Sequence, residues 1–201
     1  DKTTAYCLLI ARDVTNQTKF EEELTLKYQK LKEVNNKFGI IRRQMDYLFE
    51  MLDLLSGRSD TKTIADFIVS SIIMLTRVDA CVLRKFNAQK NTLELIASFG
   101  VGEDWRGKAN IRYHKSLTEK AFEKKVPLKI IDVTKEPRYF SAYLAKKHNL
   151  CSLLLIPLQF KGKLVGSLSL YSSPQKKLEI FENEFIEKYA RLVEIAVGTT
   201  L

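Results

Sequence analysis

Residues 149–171, NLCSLLLIPLQFKGKLVGSLSLY, contain two apolar runs joined by a short polar turn. A continuous apolar run indicates a strand buried on both faces, and the lysines around Gly162 indicate a tight turn that pairs the runs as a hairpin. Pro157 has no backbone N–H, so we expect a bulge or a sheet edge beside it. Gly166 indicates that another backbone passes close to the second run. The stretch therefore predicts two buried antiparallel strands.

The rest of the chain predicts a second hairpin and several helices around these strands. DACVLRKFN and TLELIASFG are strand-like and are separated by AQKN, and VPLKIIDV predicts one more strand. Asp60 or Thr61 can cap a helix before the second hairpin, and Ser116 with Glu119 can cap the short helix SLTEKAFEKK. EIFENEFIEKYARLVEIAVGTT predicts a closing amphipathic helix. The order indicates an α+β fold with a central antiparallel sheet flanked by helices.

Apolar residues recur every seven positions between residues 18 and 55. Two such tracks lie three residues apart, and Lys27 is the one polar residue in them. This heptad pattern predicts a long helix that pairs with a second copy of the chain as a parallel coiled coil, although one helix packed on its own domain would also need an apolar face. The homodimer would use Leu24, Leu31, Val34, Phe38, Ile41, Met45, Leu48, Leu52 and Leu55, with Phe185 and Leu192 of the last helix.

The composition excludes several classes of protein. With 45% hydrophobic and 28% charged residues among 201, the chain is globular. The net charge of +9 is spread among interleaved acids and bases, so we expect no nucleic-acid partner. Three cysteines without close spacing indicate a reducing, cytoplasmic compartment. No apolar run reaches the length of a membrane span, so we expect no membrane contact by these residues.

Three strings in this order resemble the GAF family, a small-molecule-sensing module of signalling proteins: SLTEKAFEKKVPLKIIDVTKEPRYF, LCSLLLIPLQFKGKLVGSLSLY and FENEFIEKYARLVEIAV. The resemblance implies that the paired strands form the centre of a sheet, which is one wall of a pocket. YCLLIARDVTNQTKFEEEL is similar to the last strand of a PAS domain and the start of a signalling helix. The predicted organisation is the C-terminal end of a PAS domain (1–17), a coiled-coil helix (18–55) and a GAF domain (56–201).

The resemblance also limits which ligands the pocket would take. Bilin-binding relatives carry a Cys-His pair where this chain has Tyr139 and Phe140, so the thioether nucleophile is absent. The signature of cyclic-nucleotide-binding members is not found, although a purine could stack on an aromatic ring. We expect an unknown small molecule, or a pocket that is small, apolar or vacant. The candidate pocket residues are Phe99, Trp105, His114, Tyr139, Phe140, Tyr143 and Cys151.

A haem or redox-sensing role is the main alternative. Iron needs a soft or imidazole ligand facing an apolar slot, and Cys151, His114 and His148 are the available residue types. A cysteine at the start of an apolar strand is, however, more often a small buried hydrophobe. No cofactor is therefore assigned, and the two histidines lack the ligand spacing of a zinc site.

The sequence does not contain a convincing catalytic set. Cys151 with His114 or His148 is the only candidate, and the GAF-like enzymes that reduce free methionine sulfoxide use grouped cysteines, whereas those here are solitary. We therefore expect a sensory relay fragment without enzymatic activity of its own. The output module beyond it would be a histidine kinase or a cyclic-dinucleotide synthase, and family frequency favours the kinase.

Overall fold

The structure is a computed structural model, and it describes residues 15–57, 59–106, 110–176 and 184–200. The predicted end of a PAS domain, residues 1–17, therefore lies almost wholly outside the described residues, as does its predicted strand. The chain forms two compact units, Asp1–Gln44 and Met45–Leu201.

Helix α1, Thr15–Ser56, is the long helix that the heptad pattern predicts. It ends at Ser56, and the N–H of the next residue, Gly57, donates to Asp53 O at 2.9 Å. Within the first unit its large apolar side chains are exposed. They are Phe20, Leu24, Leu26, Tyr28, Leu31, Val34, Phe38, Ile40 and Ile41.

The second unit is built on one antiparallel sheet. Its described strands are β1 (Ala80–Asn87), β2 (Thr92–Phe99), β3 (Ile111–Arg112), β4 (Leu128–Ile130), β5 (Ser152–Phe160) and β6 (Lys163–Ser172), in the spatial order β3-β2-β1-β6-β5-β4. Both predicted hairpins are present, and β6 lies at the centre of the sheet beside β1. The predicted α+β fold is confirmed.

Helices cover both faces of this sheet. Helix α2 (Thr61–Thr76), helix α6 (Glu184–Thr199) and the last turns of α1 pack on one face. The short helices α3 (Glu103–Arg106), α4 (Leu117–Lys124) and α5 (Ala142–Lys147) pack on the other. Because side chains alternate along a strand, β5 contributes to both cores, with Leu154, Ile156 and Leu158 in the first and Leu153 and Leu155 in the second.

The β5–β6 turn and Pro157 behave as the sequence predicts. Lys161 and Gly162 have φ of 50° and 77°, the pair of positive values that a two-residue type I′ turn requires. The ladder between β4 and β5 stops at Leu155, so β5 has no described β4 partner at Pro157. The register with β6 then shifts between Leu158 and Gln159. Both an edge and a bulge therefore lie beside the proline.

Two elements differ from the sequence-based expectation. The strand predicted from VPLKIIDV is reduced to β4, because the Asp132 side chain accepts the Thr134 N–H at 3.0 Å and starts a turn of 3-10 helix, Val133–Lys135. Cys151 lies just before β5 rather than inside it, and its N–H donates to Ser172 O at 2.8 Å.

Several residues predicted for the dimer interface contact the core of their own chain. Leu48, Leu55, Phe185 and Leu192 are partly buried against the core formed by α2, α6 and the sheet, and Met51 is fully buried in it. Their part in a dimer stays a prediction. Of the helices that the structure describes, none is long and apolar enough to span a membrane.

Candidate functional site

The candidate site is a cavity of about 50 Å³ on the sheet face covered by α3, α4 and α5. The polar floor lies on one face of the sheet, because its residues occupy alternate positions of the β1–β6 ladder. Arg84 pairs with Ser167, Val82 with Ser169 and Ala80 with Tyr171. Leu93, Leu153 and Leu155 complete the floor. The opposite wall comes from Trp105 of α3, the first turn of α4 and residues 138–141.

Arg84 is the one buried charged side chain among the described residues, with 4% of its surface exposed. It lies on β1, on the same side as Ala80 and Val82, and its Nη1 donates to Leu93 O at 3.2 Å. Burial lowers the pKa of its guanidinium, but the ordinary value is so high that the group stays charged. The cavity therefore contains a permanent cation.

Two tyrosines complete the polar part of the cavity. The Tyr139 hydroxyl donates to the Tyr171 hydroxyl at 3.3 Å, and the Trp105 ring contacts the Tyr171 ring edge-on at 5.3 Å between centroids. Burial raises the pKa of both phenols, so both remain protonated near neutral pH. Neither phenol neutralises Arg84, and both act as hydrogen-bonding groups.

Three of the predicted pocket residues line this cavity: Trp105, Tyr139 and Phe140. Phe99, His114, Tyr143 and Cys151 do not line it. His114 is exposed, with Nδ1 3.0 Å from Glu119 Oε1, and the Cys151 thiol donates to Ile131 O at 3.4 Å.

The sequence reasoning missed Arg84, Ser167, Ser169 and Tyr171, which form the floor. Their signal was available in the two central strands. In ACVLRKF, Arg84 follows Ala80 and Val82 at alternate positions, which places the three on the same face of the strand. In SLSLY, the polar residues Ser167, Ser169 and Tyr171 alternate with leucines.

The residues present do not fit haem. Cys151, His114 and His148 do not line the cavity, and the described residues contain no cluster of metal-binding side chains. A cavity of about 50 Å³ is also far smaller than the roughly 300–1,000 Å³ of sites for larger organic ligands. The same comparison opposes a cyclic nucleotide at this site.

A larger groove of about 740 Å³ lies between the β5–β6 turn and the end of α6. It is open to solvent, and it is lined by Lys85, Phe86, Tyr113, Phe122 and Lys163 among others. No buried charged group faces it among the described residues. We therefore place the candidate site in the smaller cavity, where the charged side chain of Arg84 is buried.

Asp104 fastens α3 to the end of α5 beside the cavity. Its carboxylate accepts from Lys147 Nζ at 2.7 Å and lies 2.8 Å from His148 Nε2. These hydrogen bonds lower the pKa of Asp104 to about 2. The His148 ring also contacts the Trp105 ring, with 6.0 Å between centroids. The hydrogen bond of His148 to Asp104 therefore helps to position the tryptophan that lines the cavity.

We expect Asp104→Asn to change the acid limb of the stability curve. The pKa of Asp104 is lower in the folded state than its ordinary value, so its carboxylate stabilises the fold above about pH 4 and this contribution is lost as pH falls through about 2. Wild type should therefore lose more stability than Asp104→Asn between about pH 5 and pH 2. Urea midpoints measured across this range test the prediction, with Asp66→Asn, at an exposed position of α2, as control. Parallel curves for wild type and Asp104→Asn would contradict it.

The GAF domain family model matches residues 60–197 of the chain. The chain belongs to the GAF family. The match begins at the N-cap of α2 and ends within α6, so it contains all described strands of the sheet, helices α2 to α5 and most of α6. No curated protein matches the chain significantly.

Solved structures of the same fold come from several signalling and enzymatic proteins. The GAF domain of a phosphoenolpyruvate-protein phosphotransferase from Acinetobacter is 19% identical, with a TM-score of 0.62 over 77% of this chain and 92% of that one. A free methionine-R-sulfoxide reductase from Neisseria meningitidis, in complex with its substrate, is 13% identical, with a TM-score of 0.59 over 78% and 89%. A domain of a putative two-component sensor histidine kinase from Sinorhizobium meliloti is 15% identical, with a TM-score of 0.52 over 69% and 91%.

These likenesses show the GAF fold, which also occurs in domains of a phosphotransferase, a chemotaxis protein and a sensor histidine kinase. At such low identity they do not carry a ligand or a reaction to this chain.

Proposed function

We propose that this chain is the sensory and relay part of a multidomain signalling protein. Its GAF domain binds a small molecule in the cavity beneath α3–α5, and a parallel pair of α1 helices transmits conformational change to a C-terminal output module, a histidine kinase. The observation that carries the proposal is the exposed heptad seam of α1.

The seam is unusual for a surface helix. Leu24, Leu31, Val34, Phe38 and Ile41 repeat at heptad spacing, and each is between 55% and 66% exposed. Scattered apolar side chains are ordinary on a protein surface, but a continuous stripe of them marks an interaction site. A second α1 in parallel register presents the same spacing and would bury the stripe on both chains.

The last turns of α1 suggest how ligand binding reaches the seam. Met51 is fully buried in the core of the GAF domain, where it packs with residues of α2, α6 and the sheet. A ligand that changes the packing of the sheet would change the environment of Met51, and a differential binding energy of about 1–3 kcal/mol is enough for signalling. The coiled coil would then respond through the same helix.

We further propose that the domain has no catalytic role. Cys81 is fully buried, and burial raises the pKa of its thiol, which opposes the thiolate that nucleophilic chemistry needs. Cys151 is partly buried and donates to a backbone carbonyl rather than facing the cavity. The similarity to the sulfoxide reductase therefore extends to the fold alone.

Cysteine cross-linking tests the parallel dimer directly. In a parallel, in-register coiled coil the same seam position of both chains comes within reach of a disulfide. We expect Phe38→Cys to form a covalent dimer on mild oxidation, beyond the background of the native cysteines. Asn36→Cys, two residues away on the outer face of the helix, should not. Equal yields from the two variants, or no dimer from Phe38→Cys, would contradict the proposal.

A further inference from the structure

Arg84 is the group in the cavity that apolar packing does not explain. Its side chain is 4% exposed, and its one hydrogen bond among the described residues goes to Leu93 O. No carboxylate of the described residues lies within ion-pair distance of it. Removing a charge from water without a counter-charge is costly, and a methionine or leucine would fill the space without that cost. The fold therefore retains a cation at a place where stability alone disfavours one.

The first turn of α4 adds positive potential to the same cavity. Ser116, Leu117 and Thr118 line the wall opposite the sheet. Ser116 caps the helix, and its hydroxyl accepts the Glu119 N–H at 3.2 Å. The N–H groups of Leu117 and Thr118 have no acceptor inside the helix, and a helix N-terminus carries a partial positive charge. A buried arginine and a helix N-terminus thus meet at one cavity.

The remaining polar groups around the cavity are hydroxyls that can donate hydrogen bonds. Thr118 and Ser167 are buried, and the described residues offer neither hydroxyl a hydrogen-bond partner. Tyr139 and Tyr171 are neutral phenols. Among the described lining residues there is no Asp or Glu, whereas Arg138 adds a second cation at the exposed rim. The cavity is therefore rich in donors and has no negative charge of its own.

The size of the cavity limits what it can hold. One water needs roughly 10–15 Å³ of such space, so a cavity of about 50 Å³ takes roughly three to five non-hydrogen atoms. A carboxylate matches this size, and its planar pair of oxygens fits the fork of an arginine. Larger anions, including nucleotides, exceed the space.

We propose that the cavity binds a small planar oxyanion, a carboxylate of a few non-hydrogen atoms, with Arg84 as its counter-ion and the first turn of α4 as its second contact. This inference rests on the ligand-binding role proposed above and specifies the chemical class of the ligand. The bound anion neutralises the buried guanidinium and so stabilises the packing around the cavity, which gives the ligand a direct effect on the central strand β1.

The test is thermal unfolding of the full chain with sodium acetate or sodium formate, against sodium chloride at equal ionic strength and against acetamide, the neutral analogue of acetate. We expect acetate and formate to raise the melting temperature of wild type, and chloride and acetamide to leave it unchanged. Arg84→Met should lose this shift, and calorimetric titration should show acetate binding weakened by roughly ten- to a hundred-fold. Arg112→Met, which removes an exposed arginine outside the cavity, should keep the wild-type response.

Two further variants keep the test independent of the folding of Arg84→Met. Arg84→Lys retains the charge but not the fork, and should bind acetate more weakly than wild type. Thr118→Val keeps the size of the side chain and removes its hydroxyl, and should weaken binding by a few-fold. If neither variant changed the acetate response, the proposed contacts would be wrong.

The outcomes separate this inference from the proposed function. If acetamide stabilised wild type and Arg84→Met as strongly as acetate does, anion binding would be contradicted. The cavity would then be a site for a neutral ligand. Anion binding would also be contradicted if neither acetate nor formate changed the melting temperature of wild type. Failure of the relay would be seen instead in the Phe38→Cys cross-linking, which requires no ligand.

Discussion

Gly166→Ala is expected to destabilise the GAF domain by about 3 kcal/mol, near the upper end of the usual cost of overpacking. Gly166 lies on β6, between Lys85 of β1 and Leu158 of β5. A Cβ at this position would come closer than 3.0 Å to the backbone oxygen of Arg84, a distance that real Cβ atoms essentially never show. The obstacle is backbone of a central strand, so relief would require the β1–β6 ladder to move. Urea unfolding followed by tryptophan fluorescence measures the loss, since Trp105 is buried in the adjacent core.

Gly162→Ala is the matched control for this prediction. Gly162 has φ of 77° in the β5–β6 turn, but a Cβ there meets nothing within 4 Å. Its cost is therefore only the left-handed backbone of a non-glycine residue, about 1–2 kcal/mol. Equal destabilisation by the two substitutions would show that close packing against β1 is not the reason for Gly166.

The same two glycines explain why the hairpin could be predicted from sequence. A turn and a close backbone approach need glycine for reasons that are local, and the apolar runs around them fix which residues face inward. The heptad repeat of α1 was predictable for a similar reason, because periodicity along one helix depends on no other part of the fold. Gly57, which follows the end of α1, and Ser116, which caps α4, likewise form their hydrogen bonds with residues three or four positions away.

The position of Arg84 could not be predicted in this way. Along β1 an arginine followed by Lys85 resembles the end of a strand that emerges into solvent, and Lys85 is indeed exposed. Arg84 is buried because α4 and residues 138–141 cover it and because β6 supplies small serines opposite. These partners lie more than thirty positions away in the sequence, so their arrangement is a property of the tertiary fold.

The candidate ligands of the haem hypothesis were separated by local contacts that the sequence did not reveal. Cys151 lies one residue before β5 with its thiol directed to a backbone carbonyl, and His114 pairs with Glu119 at the surface. His148 is held by Asp104 beside Trp105. The residue types were compatible with a metal, whereas their positions are not.

Leu31→Glu is expected to weaken self-association of the chain by about a hundred-fold or more. Burial of one leucine is worth about 1.5–3 kcal/mol, and a symmetric pair loses two, so the dimer loses roughly 3–6 kcal/mol before any repulsion between the facing glutamates. Leu31 is 57% exposed in the single chain, so the fold of the monomer should not suffer. Sedimentation equilibrium measures the dissociation constant, and circular dichroism checks the helix content. Gln29→Glu introduces the same charge on the outer face of α1 and should leave the dissociation constant nearly unchanged.

Lys27→Leu should act in the opposite direction and tighten the dimer. Lys27 forms an exposed ion pair with Glu23, Nζ to Oε1 at 2.7 Å, and such a pair within a helix contributes only about 0.3–0.5 kcal/mol. The apolar area that a leucine would bury at this seam position is worth several times more, so the gain exceeds the loss. Opposite shifts from Leu31→Glu and Lys27→Leu, with Gln29→Glu unchanged, can arise only if the seam itself is the interface. If all three variants sediment as wild type, α1 does not pair through this face, and the relay through a coiled coil is excluded.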